Sequence, residues 1–357
     1  MTIRVLIVDD SRFMCSRIAG ILEHDKDLQV IGTAGNGREA IRKTAELVTM
    51  DVEMPVMDGI AAVGEIMRRT PVPILMFSAS THAGAQSTLK ALEAGAMDFL
   101  PKQLDEIDGN RERGRYLLRS RVRGLARQAA GLKVSSGASR LHHDRPDAAA
   151  PMVMPEMAAT TDNETWTATA QLRLLTIVAS TGGPLAIQKV LTQIPAHCPM
   201  PVLLVQHMPA KFTRSFAARL DQLCKIRVKE AEQGDRLQPG LALLAPGGMQ
   251  MEISGASRKT ITLREKKVSE LYAPCADITL SLVARHYPGH TLTVILTGMG
   301  ADGAEGALQL KRGGSMVWAQ DEESCTIYGM PKAVADAQLA DRVYSLDKIA
   351  SELKKIN

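Results

Sequence analysis

Two stretches of the chain alternate short apolar runs with amphipathic ones, and a polar stretch separates them. From Ile3 to about Leu104 the strand-like runs are IRVLIVDD, LQVIGTA, VTMD, VPILMFSA and MDFLPK, with SRFMCSRIAGILEHD, REAIRKTAEL, IAAVGEIMRRT and QSTLKALEAG as helical patterns between them. Such alternation predicts a parallel sheet of about five strands covered on both faces by helices. From Leu172 the alternation resumes through LRLLTIVAS, PLAIQKVLTQI, PVLLVQHM, FTRSFAARLDQL, LALLAPGG, ADITLSLVARHY, TLTVILTGMG, GAEGALQLKRG and SMVWAQ, and predicts a second doubly wound α/β domain. Between them, RERGRYLLRSRVRGLARQ is basic and only weakly amphipathic, and 135–165 is small, polar and Pro-containing without a periodic pattern. Such sequence buries too little surface to offset its ordering entropy, so residues 106–170 are expected to be a linker between domains at 1–105 and 171–357.

Composition agrees with two globular units in 357 residues: 45% of positions are hydrophobic, yet only 3% are aromatic and 18 are Met, so aliphatic and thioether side chains must fill the cores. Five scattered cysteines without a CxxC spacing suggest neither a disulfide framework nor a zinc site, and fit a reducing compartment. The apolar start is too short for a signal sequence and no run approaches a membrane span, so a cytoplasmic protein with no membrane insertion is expected. Net charge is only +4, but Arg111 to Asp147 holds ten Lys/Arg against three Asp/Glu. That excess raises a nucleic-acid-binding regulator as an alternative, although no helix-turn-helix pattern follows it.

In parallel α/β sheets ligands collect outside the carboxyl ends of the strands, so polar residues at those ends are candidates for chemistry. Ser180 ends LLTIVAS, His207 ends VLLVQH, and Asp302 follows TLTVILTGMGA. A serine hydroxyl becomes a nucleophile when an imidazole accepts its proton, and a carboxylate orients that imidazole. Backbone N–H groups of the turn at Thr181, Gly182 and Gly183, and Met299 on the opposite Gly-rich wall, are candidates for holding a developing oxyanion. Taken singly, Ser180 and Asp302 also read as helix caps and His207 as a hydrogen-bonded core residue, with His286 and His290 as competitors. VASTGG is not the G-x-S-x-G elbow, and the order Ser, His, Asp differs from the common hydrolase templates.

The front half gathers different chemistry at its strand ends: Asp9 and Asp10, then Asp51, Ser78 and Lys102. Clustered carboxylates repel unless a hard cation such as Mg²⁺ sits among them, and an acceptor Asp with a hydroxyl and a lysine suits a transient aspartyl phosphate.

With these residues in hand, VLIVDDS, MDVEMPVMDG and MDFLPK resemble a response-regulator receiver, of flavodoxin-like doubly wound fold. IVASTGGPLAI, VQHMPAKFTRSFAARLD, LTGMGADGAEG and CTIYGMPKAV resemble the catalytic domain of the chemotaxis protein-glutamate methylesterase (CheB) family. The resemblance implies phosphorylation-activated hydrolysis of glutamyl γ-methyl esters on the cytoplasmic helices of chemoreceptors, releasing methanol, and deamidation of selected receptor glutamines. It implies Ser180 as nucleophile, His207 as base and acid, and Asp302 as its orienter. In the receiver it implies Asp51 as the phosphorylated residue and a Mg²⁺ site of Asp10, Asp51 and the Glu53 carbonyl, with Asp9 nearby. Lys102 would be the counter-charge, and Ser78 and Phe99 the switch hydroxyl and aromatic. A chemotaxis histidine kinase is the implied phosphodonor, and the esterase reaction is expected to need no cofactor. Two departures stand out: Gln103 follows Lys102 where receivers often have Pro, and the helix of RKTAELVTMDVEMP runs into the Asp51 strand with almost no loop. A catalytically silent receptor adaptor is the remaining alternative.

Overall fold

Each of the first four strands is followed by a side chain built to start a helix. Ser11, Asn36, Asp58 and Thr81 each accept a hydrogen bond from the backbone N–H three residues on. The computed structural model describes residues 2–43, 45–79, 81–103, 111–137, 172–256 and 258–356. Its first unit runs β1 (Ile3–Val8), α1 (Arg12–Leu22), β2 (Leu28–Ala34), α2 (Gly37–Ile41), β3 (Leu47–Asp51), α3 (Gly59–Arg69), β4 (Ile74–Ser78), α4 (His82–Glu93), β5 (Asp98–Pro101) and α5 (Arg111–Gly137). The five strands are parallel in the order β2-β1-β3-β4-β5, as the alternation predicts.

Two expectations for this unit need correction. The basic segment at 111–137, read as linker, is a helix: Leu118, Val122, Leu125 and Ala126 are buried in the same apolar cluster as Val5, Ile7, Ile18 and Leu100. Part of its charge is paired with the sheet unit: Arg121 with Asp98, Arg123 with Asp25 and Arg127 with Asp27. The rest of the linker call, 106–110 and 138–170, lies outside the described residues. The loop before Asp51 is not missing either. Helix α2 stops at Ile41 although helix formers continue, because Glu46 must meet Arg4 and Leu47 must pair with Val5 for β3 to enter the sheet. Tertiary pairing here overrides local propensity.

The second unit runs β6 (Leu174–Ala179), α6 (Gly183–Leu191), β7 (Val202–Gln206), α7 (Ala210–Leu223), β8 (Arg227–Glu230), β9 (Leu241–Leu244), β10 (Met249–Ser254), β11 (Thr260–Glu265), α8 (Ala276–His286), β12 (Thr291–Ile295), α9 (Ala304–Arg312), β13 (Met316–Gln320), α10 (Met330–Asp336), β14 (Arg342–Tyr344) and α11 (Leu346–Leu353). Seven strands form a parallel sheet in the order β14-β13-β12-β6-β7-β9-β8, and β10 and β11 form a separate antiparallel hairpin. The central strands are apolar and wholly buried, as a sheet covered on both faces requires. From β6 the chain winds first toward β8 and later, from β12, toward β14, so the sheet's switch point lies between β6 and β12.

The two units touch along α4 and α7. The Phe99 and Phe212 rings lie 4.7 Å apart, Arg219 pairs with Glu93 at 2.6 Å, and His82 Nδ1 is 2.6 Å from Ser215 Oγ.

Candidate active site

Ser180, His207 and Asp302 follow β6, β7 and β12, and the parallel sheet brings their three ends to one edge. Ser180 Oγ lies 3.1 Å from His207 Nδ1, and His207 Nε2 lies 2.7 Å from Asp302 Oδ2. All three are nearly inaccessible, which strengthens the electrostatics among them. Burial alone would raise the Asp302 carboxyl, but the His207 hydrogen bond and charge, with the N–H groups of Asp277 and Ala276, outweigh it and hold Asp302 well below the carboxylate range. An ionised Asp302 only accepts, so Nε2 carries the imidazole proton and Nδ1 presents its lone pair to the serine hydroxyl.

The bland roles open in the sequence fall to other residues. Helix α6 is capped by Gly182, not Ser180, and α9 by Gly303, not Asp302. Asp302 instead accepts from Ala276 N at 2.7 Å and Asp277 N at 2.9 Å, the first N–H groups of α8, while Asp277 Oδ1 accepts from Gly303 N and Gly306 N of α9. The two helices thus cap each other, and the same contact fixes Asp302. The mutual repulsion is felt at Asp277, which burial, despite the Gly306 N–H, and the Asp302 charge push up to about 6. His286 and His290 do not compete: His286 meets Lys259, and His290 precedes β12 at the far end of the strands.

Around the serine the turn is tightly built. Gly182 is left-handed at φ 75°, and a Cβ there would strike the Thr326 side chain. Thr297 Oγ1 bonds the Thr181 and Ile327 carbonyls, and Gln206 Nε2 bonds the Ser180 carbonyl. The Gly183 N–H is committed to the Ser180 carbonyl at 2.8 Å, which leaves Thr181, Gly182 and Met299 as oxyanion candidates, and of these Met299 lines the cavity over the serine.

A cavity of about 450 Å³ opens over Ser180 and His207, walled by Met208, Tyr272 and Met299 and, from the first unit, by Asp98, Phe99 and Tyr116. Asp98 lies beside Thr181, and its burial raises its carboxyl against the lowering charge of Arg121, 2.9 Å away.

Sequence reasoning missed Tyr272, whose ring stacks on the His207 imidazole with centroids 4.3 Å apart and planes within 11°. It also missed Cys275, whose Sγ donates to Asp302 Oδ1 at 3.2 Å and whose thiol burial and the Asp302 charge push up to about 12. The signal available was YAPCAD just ahead of a helical pattern, where N-terminal N–H groups seek an acceptor.

The first sheet carries its own cluster at the ends of β1, β3, β4 and β5. Asp9, Asp10 and Asp51 each place a carboxylate oxygen within 4.8 Å of the others. Lys102 Nζ is 2.6 Å from Asp51 and 3.4 Å from Asp9. Burial lifts Asp51 to about 6; Lys102 opposes the shift and Asp9 adds to it. Ser78 Oγ donates to the Gly84 carbonyl of α4, Phe99 is turned in against Phe212, and the Glu53 side chain is exposed. Gln103 is exposed too, immediately after Lys102.

The family model for CheB methylesterase matches residues 175–353, and that for the response regulator receiver domain matches residues 5–109.

The chain belongs to the CheB methylesterase family.

It is 50% identical, over 99% of both chains, to the Pseudomonas putida protein-glutamate methylesterase/protein-glutamine glutaminase of group 1 operon. It is 48% identical to a protein-glutamate methylesterase/protein-glutamine glutaminase of Pseudoalteromonas translucida, over 99% of this chain and 98% of that one. Among solved structures, the Thermotoga maritima CheB methylesterase catalytic domain matches with a TM-score of 0.50 and 37% identity, covering 52% of this chain and 99% of that one. The CheB family thus accounts for the second unit and the receiver family for the first, in the order the sequence motifs imply.

Proposed function

We propose that this CheB-family chain hydrolyses glutamyl γ-methyl esters on the cytoplasmic helices of chemoreceptors, releases methanol, deamidates selected receptor glutamines, and is controlled by phosphorylation at Asp51. The observation that carries the reading is the hydrogen-bonded chain from Ser180 through His207 to Asp302 at the switch point of the second sheet. Ser180 Oγ attacks the ester carbonyl carbon as His207 Nδ1 takes its proton, and Asp302 stabilises the imidazolium. N–H groups of Thr181, Gly182 and Met299 receive the developing oxyanion. His207 then returns the proton to departing methanol, leaving an acyl-serine. Water deprotonated by the same nitrogen attacks that ester, and proton return to Oγ frees the glutamate. A glutamine amide follows the same steps with ammonia as leaving group.

In the receiver, the residues fit a hard divalent cation: three carboxylates crowd together, and among the described residues the buried Asp9 Oδ2 has only the Lys102 ammonium, at a long 3.4 Å, to balance it. Asp10, Asp51 and the Glu53 carbonyl would hold Mg²⁺ beside Asp9. Bound there, Mg²⁺ supplies charge neutralisation for phosphoryl transfer to Asp51. Lys102 balances the aspartyl phosphate, Ser78 leaves its Gly84 carbonyl to meet it, and Phe99 follows. The phosphodonor is a chemotaxis histidine kinase. Because receiver residues wall the cavity over Ser180, a helical substrate reaches the serine only when the units part, so phosphorylation acts by favouring the open state.

Nucleic-acid binding lacks support: three arginines of α5 are paired with carboxylates of the first unit. No described helix is long and apolar enough to cross a membrane.

The test is methanol release from a methylated receptor, with and without a small phosphodonor. Wild type is expected to be stimulated by the donor. Ser180→Ala should lose at least about 10³-fold of its rate. Equal rates from the two proteins would end the proposal.

A further inference from the structure

The hairpin β10–β11 stands outside both parallel sheets, yet one of its side chains holds the segment that packs against His207 and Asp302. Gln250, the second residue of β10, is completely buried. Its Nε2 donates to the Tyr272 carbonyl at 2.7 Å and to Glu270 Oε2 at 3.1 Å, and its Oε1 accepts from Cys275 N at 2.9 Å. One amide therefore spans the loop between β11 and α8 and fastens it at three places. Glu270 is itself gripped by Arg264 of β11 through Nη1 and Nη2, at 2.9 and 2.6 Å, and Arg264 Nε also meets Glu252 at 2.6 Å.

What the amide fastens lies against the reacting groups. Tyr272, whose carbonyl it holds, stacks on His207; Cys275, whose N–H it holds, begins the run of Cys275, Ala276 and Asp277 that donates to Asp302. We infer that Gln250 is a positioning residue for the catalytic pair: through Tyr272 it sets the plane of the imidazole, and through the start of α8 it sets the carboxylate that the imidazole faces. The inference rests on the proposed esterase reading and extends it to a residue that touches neither substrate nor triad.

The physical case is that the amide meets two requirements at once. A stacked ring restrains an imidazole only if the ring's own backbone is fixed, and the Tyr272 backbone is fixed by Gln250 and by the bond from Gly248 N to the Ala273 carbonyl. An apolar residue of similar volume at 250 leaves the Tyr272 carbonyl, the Cys275 N–H and one Glu270 oxygen without that partner, and the loop shifts to find others. Displacement of a catalytic group by about 1 Å costs on the order of 10²-fold in rate without a matching loss of binding.

The test uses the full chain with phosphodonor present and a receptor cytoplasmic fragment carrying glutamyl γ-methyl esters. Rates are normalised to active sites titrated by a serine-directed fluorophosphonate. Gln250→Leu should lower kcat about 10–100-fold while KM stays within about threefold. Tyr272→Ala should lower kcat in the same sense and Tyr272→Phe should restore most of that loss, since the ring, not the hydroxyl, makes the stack. The double variant Gln250→Leu/Tyr272→Ala should fall little below the worse single variant, because both act through one contact. Unchanged kcat per titrated site in Gln250→Leu overturns the inference, as does a double variant whose losses multiply. Should Gln250→Leu not fold, the Tyr272 pair decides: equal kcat in Tyr272→Ala and wild type overturns it. Ser180→Ala run alongside separates the two levels, since its matching wild type would remove the esterase reading itself.

Discussion

Asp51 carries the sharpest expectation at the scale of a single residue. Burial raises its carboxyl from 3.8 to about 6, so the folded state holds the proton more tightly than the unfolded chain. The stability this contributes is complete below about pH 4 and is lost as pH rises through 6. Asp51→Asn, neutral throughout, should therefore be more stable than wild type at pH 8. About two pKa units, a net shift in which the Lys102 attraction is already counted, set the expected gain at no more than roughly 3 kcal/mol. Thermal melting across pH should show the gap closing between pH 6 and 4, and millimolar Mg²⁺ should raise the melting temperature of wild type alone. A wild type more stable than the variant at pH 8 without Mg²⁺ would show that the lysine pairing, not burial, dominates. Asp51, like Ser180 and His207, was legible because a strand end announces itself as an apolar run stopping at a polar residue, whereas Asp302 stands farther on, past the Gly-rich TGMGA run after β12. Tyr272, Cys275 and Gln250 were not, because their roles come from a loop and a hairpin whose place beside the triad no local pattern encodes.

Among the elements, α5 and the β10–β11 hairpin mark the limit of periodicity. The alternation in MQMEIS and ITLRE is a usable period-two signal, and the structure pairs these runs antiparallel. Helix α5 hid behind its charge: its apolar stripe is narrow, and its arginines resemble a solvated face until the acids of the first unit are placed beside them. That stripe should matter to stability. Leu118 is wholly buried with Val5, Ile18 and Leu100 in its cluster, so Leu118→Ala should cost about 2–5 kcal/mol, read as a lowered urea midpoint of the receiver transition. A cost below about 0.5 kcal/mol would mean that α5 is only loosely docked. Helix α2 teaches the converse, since helix formers continue past Ile41 and the sheet still takes the chain back for β3.

For the whole molecule, the proposed control makes the decisive quantity the free-energy gap between the packed arrangement and one in which the units part. Much of the contact is ordinary apolar packing around Phe99 and Phe212, but Arg219 and Glu93 offer a handle that leaves both sites untouched. The pair is partly exposed, so simple deletion should shift the gap by less than about 1 kcal/mol. Reversing one charge adds repulsion to the lost attraction. Arg219→Glu, facing Glu93, should weaken the packed state by about 1 kcal/mol and raise methanol release without phosphodonor about threefold to fivefold, since 1.4 kcal/mol is a tenfold change in population. The stimulated rate should change little if, as proposed, phosphorylation favours the open state. Combining Arg219→Glu with Glu93→Arg restores an opposite-charge pair and should return the unstimulated rate toward wild type, which a general loosening of α7 would not do. High salt should shrink the effect of the single variant, as screening of a partly exposed pair demands. An unstimulated rate that stays at wild type in Arg219→Glu, with the enzyme still responsive to phosphodonor, would mean that the α4–α7 contact does not set the gap.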